Sequence, residues 1–138
     1  MSNKQTIEFF CPMVPPTKTH NDLVAYYNPK TKSPAIRKST ELHDVEDKLR
    51  AHFSKHRPEK PLAGAIDAFL TICYRADAKH PAGTLKTTKP DNDNLEKTIF
   101  DCLEREGFFA VGDQQIARNK TIKGYSVIPG IHVELREV

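Results

Sequence analysis

The sequence lacks a long apolar run. A membrane-spanning helix needs about 20 nearly uninterrupted apolar residues, and the longest uncharged, apolar-rich run here covers only residues 68–74. The first residues, Met-Ser-Asn-Lys-Gln-Thr, lack the apolar segment and small-residue cleavage site of a signal peptide. We therefore expect a cytoplasmic protein that neither spans a membrane nor is secreted by the usual route.

Paired cysteines are also missing. No Cys-x-x-Cys pair is present, which excludes zinc-ribbon and thioredoxin-type motifs. The Walker lysine loop, Gly-x-Gly-x-x-Gly, Gly-x-Ser-x-Gly and His-Glu-x-x-His are absent as well. The three cysteines, Cys11, Cys73 and Cys102, have apolar neighbours in sequence. We predict that they are reduced residues of the core.

The length and the charge distribution are the first positive indications. The 138 residues fit one domain, 1–138. Residues 1–60 carry 11 basic and 7 acidic side chains, whereas residues 61–138 carry 10 and 11. A basic half beside an acidic-leaning half is expected of a polyanion binder whose reaction centre uses carboxylates. Chance asymmetry in a soluble protein is the simpler explanation of the charge alone.

Hydrophobic periodicity in the first half predicts a strand, a loop, a helix and a second strand. Alternation over residues 7–11 predicts a strand that Pro12 ends. Residues 12–38 are rich in proline and basic side chains, which is typical of a long functional loop. A helix is predicted over about residues 40–56, capped by Ser39 or Thr40, and a central strand over residues 64–75.

The second half completes the predicted fold. An apolar stripe from Leu95 to Leu103 predicts a second helix that Gly107 ends. Residues 115–125 and 130–137 are predicted strands. Strands and helices mix without strict βαβ alternation, so we predict an α+β fold. It has a small mixed or mainly antiparallel sheet of about four strands and two main helices.

The run Lys-Pro-Asp-Asn-Asp-Asn-Leu-Glu-Lys at residues 89–97 is the most informative segment. Asp91 and Asp93 stand at the predicted start of the second helix, where free N–H groups and the helix dipole stabilise anions. Two carboxylates so placed can converge on Mg²⁺, which takes oxygen ligands. Lys97 follows Asp93 at i+4 on the same face, and Asp113 is expected on a turn at a sheet edge, aimed at the helix start. The alternative is an ordinary N-cap and an ordinary i,i+4 pair.

A calcium loop of the EF-hand type can be excluded. Starting the loop at Asp91 requires glycine at its sixth position and glutamate at its twelfth. The chain has Glu96 and Cys102 at those positions.

With these residues in view, the chain resembles the RusA family of Holliday junction resolvases. The resemblance rests on residues 89–97, on Asp101, and on Gly-Asp-Gln-Gln-Ile at residues 112–116. The family motif has Asp-x-Asp-Asn-Leu-x-Lys followed by an aspartate, and then an Asp-Asp-x-Gln run. This chain departs from that pattern at Gly112, where the family often has a second acid. Asp113 would then act alone, and we give Asp101 a supporting role.

The resemblance implies a homodimeric, Mg²⁺-dependent endonuclease that resolves four-way DNA junctions by paired nicks and associates with the nucleoid through DNA. Mn²⁺ is expected to substitute for Mg²⁺. Asp91, Asp93 and Asp113 would hold the metal, and these three together with Lys97 would be catalytic. Basic residues would bind backbone phosphates; they are Lys18, Lys30, Lys32, Arg37, Lys38, Lys86 and Lys89.

Two other functions stay open from the sequence. One is a nucleic-acid-binding protein of the same fold that is weak or inactive as a catalyst, because Gly112 replaces an acid. The other is a metal-dependent phosphohydrolase that acts on small phosphates, against which the basic loop argues.

Overall fold

The computed structural model of the protein describes residues 3–19 and 22–138. The elements, in chain order, are β1 (Thr6–Pro12), β2 (Leu23–Asn28), β3 (Ser33–Lys38), α1 (Thr40–Ser54), β4 (Ile66–Arg75), α2 (Asn92–Arg105), β5 (Ile116–Ser126) and β6 (Gly130–Glu137). A 3-10 turn, Asp113–Gln115, precedes β5. The predicted α+β class is confirmed. In the part of the chain that the structure describes, no helix is long and apolar enough to cross a membrane.

Four strands form one mixed sheet in the order β1-β6-β4-β5. β6 is antiparallel to both β1 and β4, whereas β4 and β5 are parallel. Parallel neighbours need a crossover connection, and α2 lies within that connection. The first turns of α2 lie beside the middle of β5, where the Asn92 amide donates to the Thr121 carbonyl and the Thr121 hydroxyl donates to the Glu96 carboxylate. Near the end of α2, Glu104 accepts an N–H from the turn before β5. Thus α2 runs antiparallel to β5.

The core lies between the sheet and the two helices. Alternate residues of β4, from Ile66 to Tyr74, are buried, as the sequence predicts for a central strand. The apolar stripe of α2 and residues Leu49 and Phe53 of α1 pack into the same cluster. Burying an aliphatic or aromatic side chain contributes about 1.5–3 kcal/mol, so this interface fixes the position of α2 and of the residues at its start.

Local signals at the helix ends are confirmed. The Ser39 hydroxyl accepts a hydrogen bond of 3.1 Å from the Leu42 N–H and caps α1. Gly107 has a φ of +82° just beyond α2, a conformation that glycine adopts without a steric penalty. Glu46 is an exception: the sequence places it among the charged residues of α1, which are expected to face solvent, but it is only 4% exposed, and Lys38 pairs with it at 2.9 Å.

The predicted loop over residues 12–38 is a second correction. Its later part forms an antiparallel hairpin of β2 and β3, which pair with each other and not with the main sheet. The prolines and lysines dominate the composition of this segment, but β-branched and aromatic residues such as Val24, Tyr26 and Ile36 favour strands. Pro34 is tolerated because the hairpin has open edges.

The cysteines agree with the prediction except for one position. Cys11 and Cys102 are buried, and burial raises their thiol pKa values to about 11 and about 12. Cys73 is only half-buried, because it belongs to the alternate residues of β4, which face away from the helices. All three thiols are free.

Candidate metal and DNA site

The start of α2 places the two aspartates of the Asp-x-Asp run. Asp91 is the N-cap, with extended backbone angles of −71° and 148°, and Asp93 lies in the first turn. The Asp91 side chain makes no capping hydrogen bond, whereas an Asp93 carboxylate oxygen accepts the N–H of Asn94 at 3.0 Å. The Asp91 carboxylate therefore does not act as a simple helix cap.

A cavity of about 310 Å³ beside α2 collects three of the four predicted catalytic residues. Asp93 and Lys97 line it from α2, and Asp113 lines it from the turn before β5. The other lining side chains are Glu96, Phe100, Ile116 and Asn119. Two carboxylates and an ammonium from separate segments thus face the same space.

Asp91 lies outside this lining. Both of its carboxylate oxygens are within hydrogen-bond distance of the Lys89 ammonium, at 2.9 and 3.0 Å. Within residues 3–19 and 22–138, no group of three or more His, Cys, Asp and Glu side chains is placed to hold a metal ion. The three predicted carboxylates therefore do not converge on one point in this structure.

Asp113 stands beside a second carboxylate. Its N–H donates a hydrogen bond of 2.8 Å to Glu104 on α2. Burial raises the pKa of the Asp113 carboxyl, and the charges of Glu104 and Asp101 raise it further, while Lys97 acts in the opposite direction. Asp101 itself pairs with Arg105, one turn further along α2, at 3.1 Å.

The turn that carries Asp113 is held by Gln115. The amide oxygen of this residue accepts the N–H groups of Val111 and Gly112, at 2.7 and 3.1 Å. The amide nitrogen donates to the carbonyls of Leu62 and Gly64, both at 3.0 Å. One side chain thus joins the two ends of the turn and fixes it to the segment before β4.

Gly112 is the departure from the family motif, and the space around it is already filled. A Cβ at this position would collide with the side-chain oxygens of Gln114 and Glu104. The carboxylate of Glu104 therefore occupies the neighbourhood that a side chain at residue 112 would enter. A carboxylate therefore still lies next to Asp113, but it comes from Glu104 on α2 and not from residue 112.

The predicted DNA-binding residues fall into two groups. Lys30 and Lys32 are exposed at the tip of the hairpin, and Arg37 lies 5.9 Å from the centre of the Tyr26 ring. The remaining lysines have internal partners. Lys18 approaches Asp22 at 3.9 Å, Lys38 binds Glu46, Lys86 packs over the Tyr74 ring at 4.8 Å, and Lys89 binds Asp91.

Sequence reasoning gave no role to Lys123, which helps to build the site. Its ammonium donates to the carbonyls of Thr88 and Pro90, both at 2.6 Å, and so holds the segment that leads into α2. Burial lowers the pKa of Lys123, and Lys86 and Lys89 lower it further. A lysine between apolar positions of a strand gives no such signal in a sequence.

Comparison with known proteins identifies the family. The sequence profile of the family described as Endodeoxyribonuclease RusA matches residues 13–136. The chain is also 32% identical over 97 residues to Uncharacterized protein YqaN of Bacillus subtilis (strain 168), a match that covers 62% of this chain. It spans 66% of that relative, just under two thirds of its length. Because the family profile matches nearly the whole chain, including both aspartate segments, the protein belongs to the RusA endodeoxyribonuclease family.

Proposed function

We propose that the protein is a Mg²⁺-dependent endodeoxyribonuclease that resolves four-way DNA junctions. The observation that carries this proposal is the cavity shared by Asp93, Lys97 and Asp113 in a chain of the RusA family. Phosphodiester hydrolysis needs an activated water and neutralisation of the charge that develops on the phosphate. Carboxylates with a neighbouring ammonium suit those two needs.

The donor set fits Mg²⁺. This ion binds proteins through one or two carboxylates and keeps several waters, and Asp93 and Asp113 supply two carboxylates to one cavity. Asp91 adds a third donor when its side chain leaves Lys89. When bound, Mg²⁺ supplies Lewis-acid stabilisation and lowers the pKa of a coordinated water. Mn²⁺, which also prefers oxygen ligands, is expected to substitute.

Lys97 is the cationic partner of this site. Its charge acts on Asp113 across the cavity, and the residue is exposed to solvent, so a phosphate that enters the cavity meets its ammonium. A lysine acts as a point charge on a flexible stem. In this proposal Lys97 stabilises the negative charge that builds up on the scissile phosphate.

In this proposal the β2–β3 hairpin supplies a DNA contact from a segment far in sequence from the residues that line the cavity. Lys30 and Lys32 are exposed at its tip, where they are available to backbone phosphates. Of the other predicted contacts, Lys89 adjoins the cavity-bearing helix. In this proposal the substrate is DNA, and the protein acts on the nucleoid in the cytoplasm.

The dimer is part of the proposal. A four-way junction has two strands to cut at symmetric positions, so two copies of one site related by a two-fold axis match it. Light scattering that shows only monomer up to micromolar concentration would contradict this part.

Cleavage of a synthetic four-way junction with and without Mg²⁺ tests the function. We expect cutting only with the metal, and Asp93→Asn should abolish it while junction binding is retained. Asp44→Asn, an exposed aspartate of α1, is the matched control and should cut normally. Normal cutting by the Asp93 variant would refute the site assignment. Junction binding without product under either Mg²⁺ or Mn²⁺ would identify a non-catalytic binder, and hydrolysis of nucleotides with weak salt dependence would identify a small-phosphate hydrolase.

A further inference from the structure

The ion pair between Lys89 and Asp91 joins two residues that have separate proposed roles. Lys89 is expected to bind DNA, and Asp91 is expected to bind metal. The ammonium lies 2.9 and 3.0 Å from the two carboxylate oxygens. The Lys89 side chain is 84% exposed and that of Asp91 48% exposed, so both can be reached by a ligand from solvent.

In the part of the chain that the structure describes, this pair is not what holds the start of α2 in place. Asp91 does not cap α2 with its side chain, so releasing the carboxylate does not remove a helix-capping bond. The backbone on either side is held independently, because Lys123 donates to the carbonyls of Thr88 and Pro90. The Lys89 side chain can therefore swing away while the segment that carries Asp91 stays in place.

A DNA phosphate and the Asp91 carboxylate compete for the same ammonium. Both are anions, and a lysine satisfies either as a compact point charge. Asp91 stands outside the lining of the cavity that holds Asp93 and Asp113. The third carboxylate is thus held by Lys89 and does not contribute to that lining.

From this geometry we propose that DNA binding completes the metal site: a backbone phosphate takes Lys89 from Asp91, and the released carboxylate becomes available to the divalent cation. The inference rests on the proposed function and adds regulation of the same site. Substrate and metal then bind cooperatively. By linkage, the metal strengthens DNA binding by the same factor as DNA strengthens metal binding.

The size of the effect follows from the exposure of the pair. Exposed ion pairs change an equilibrium by about 1.4- to 5-fold. We therefore expect Lys89→Gln to tighten Mn²⁺ binding to the DNA-free protein by about 1.4- to 5-fold. The variant has already lost the restraint that Lys89 places on Asp91. DNA should therefore tighten Mn²⁺ binding less in the variant than in the wild type. The ratio of the two enhancements should equal the factor by which the variant binds Mn²⁺ more tightly without DNA.

The experiment is a Mn²⁺ titration followed by electron paramagnetic resonance, with and without a four-way junction. Phosphorothioate linkages around the exchange point keep the phosphate charge while slowing hydrolysis. The proteins are the wild type, Lys89→Gln, Asp91→Asn and the double variant. If Lys89 acts through Asp91, Lys89→Gln should change Mn²⁺ affinity in the wild-type background and leave it unchanged in the Asp91→Asn background. Lys120→Gln removes the same charge from a lysine that lies over the Phe69 ring, and it should leave Mn²⁺ affinity unchanged.

The outcomes separate this inference from the proposed function. If the wild type binds Mn²⁺ and Lys89→Gln leaves that affinity equal or weakens it, the coupling is overturned but the proposed metal site stands. An effect of Lys89→Gln that persists in the Asp91→Asn background would also overturn it, because a general change of charge would then be the cause. A wild-type chain that binds no Mn²⁺ with or without DNA would refute the proposed metal site and the coupling together.

Discussion

The N–H of Asp113 donates a hydrogen bond of 2.8 Å to the carboxylate of Glu104. A proposed metal ligand therefore sits against a second acid from a different element. Burial raises the pKa of the Asp113 carboxyl, and Glu104 and Asp101 add to the rise. Its surroundings thus disfavour the negative charge that metal binding needs, and a divalent cation would relieve that repulsion.

Glu104→Gln tests this relationship. The amide oxygen still accepts the Asp113 N–H, but the like charge is gone, so the pKa of Asp113 should move down toward its ordinary value of 3.8. Because the ionised form binds metal, Mn²⁺ affinity should fall off at lower pH in the variant than in the wild type. A Mn²⁺ titration across the acid range measures this. A fall-off at the same or a higher pH would show that Glu104 does not govern the ionisation of Asp113.

Gln115→Met should disorganise the turn that carries Asp113. The variant keeps the length of the side chain but loses hydrogen bonds to Val111, Gly112, Leu62 and Gly64. A net hydrogen bond is worth about 0.5–1.5 kcal/mol, and some of these groups find water, so we expect a loss of about 1–3 kcal/mol in urea unfolding. Supporting residues of metal sites typically change activity or affinity about 10–100-fold, so the Mg²⁺ concentration for half-maximal cleavage should rise within that range.

The matched control for this variant is Gln114→Met, because Gln114 is an exposed amide one position earlier. It should unfold and cleave as the wild type does. Equal Mg²⁺ requirements in the Gln115 variant and the wild type would remove Gln115 from the site.

Charge removal at the hairpin tip should weaken DNA binding without affecting the fold. Lys32 has a φ of +55°, a conformation that asparagine tolerates, so Lys32→Asn removes the charge and keeps the turn. Together with Lys30→Gln it should lower the slope of log affinity against log salt by about 1.8, or about 0.9 for each duplex phosphate that the protein no longer neutralises. Binding isotherms at several salt concentrations measure the slope. Lys48→Gln on the exposed face of α1 should leave it unchanged, and an unaltered slope in the hairpin variant would show that the tip does not touch DNA.

The carboxylate of Glu137 should make the free energy of unfolding depend on pH. Its carboxylate accepts the N–H groups of Ala63 and Gln5, at 2.7 and 2.8 Å, and these hydrogen bonds lower its pKa below the ordinary 4.5. The stabilisation is therefore fully present above about pH 4.5 and is lost as the pH falls through the lower folded value. Glu137→Gln leaves one oxygen for two N–H groups and should cost about 1–3 kcal/mol.

Urea unfolding of the wild type and of Glu137→Gln between neutral and acid pH measures this difference. The two proteins should differ most near neutrality and converge in acid. A constant difference at every pH would mean that ionisation of Glu137 does not contribute.

Local signals were strong enough to predict most of the elements. Ser39 caps α1, Gly107 ends α2, and alternation in β4 identifies its buried face. These features depend on nearest neighbours along the chain, which a sequence contains. The β2–β3 hairpin was missed because it pairs only with itself, so no buried face imposes the alternation by which strands are recognised.

The sequence by itself determined the family motif, the position of Asp91 and Asp93 at a helix start, and the placement of Lys97 one turn beyond Asp93, because each follows from local spacing. Only the tertiary structure decided that Asp113 shares a cavity with Asp93 and Lys97, that Glu104 lies against Asp113, and that Lys89 holds Asp91. Two of these contacts depend on the crossover that lays α2 antiparallel to β5, and the third on where a flexible side chain comes to rest. Distances across a packed interface are set by burial of the core, which spacing along the chain does not encode.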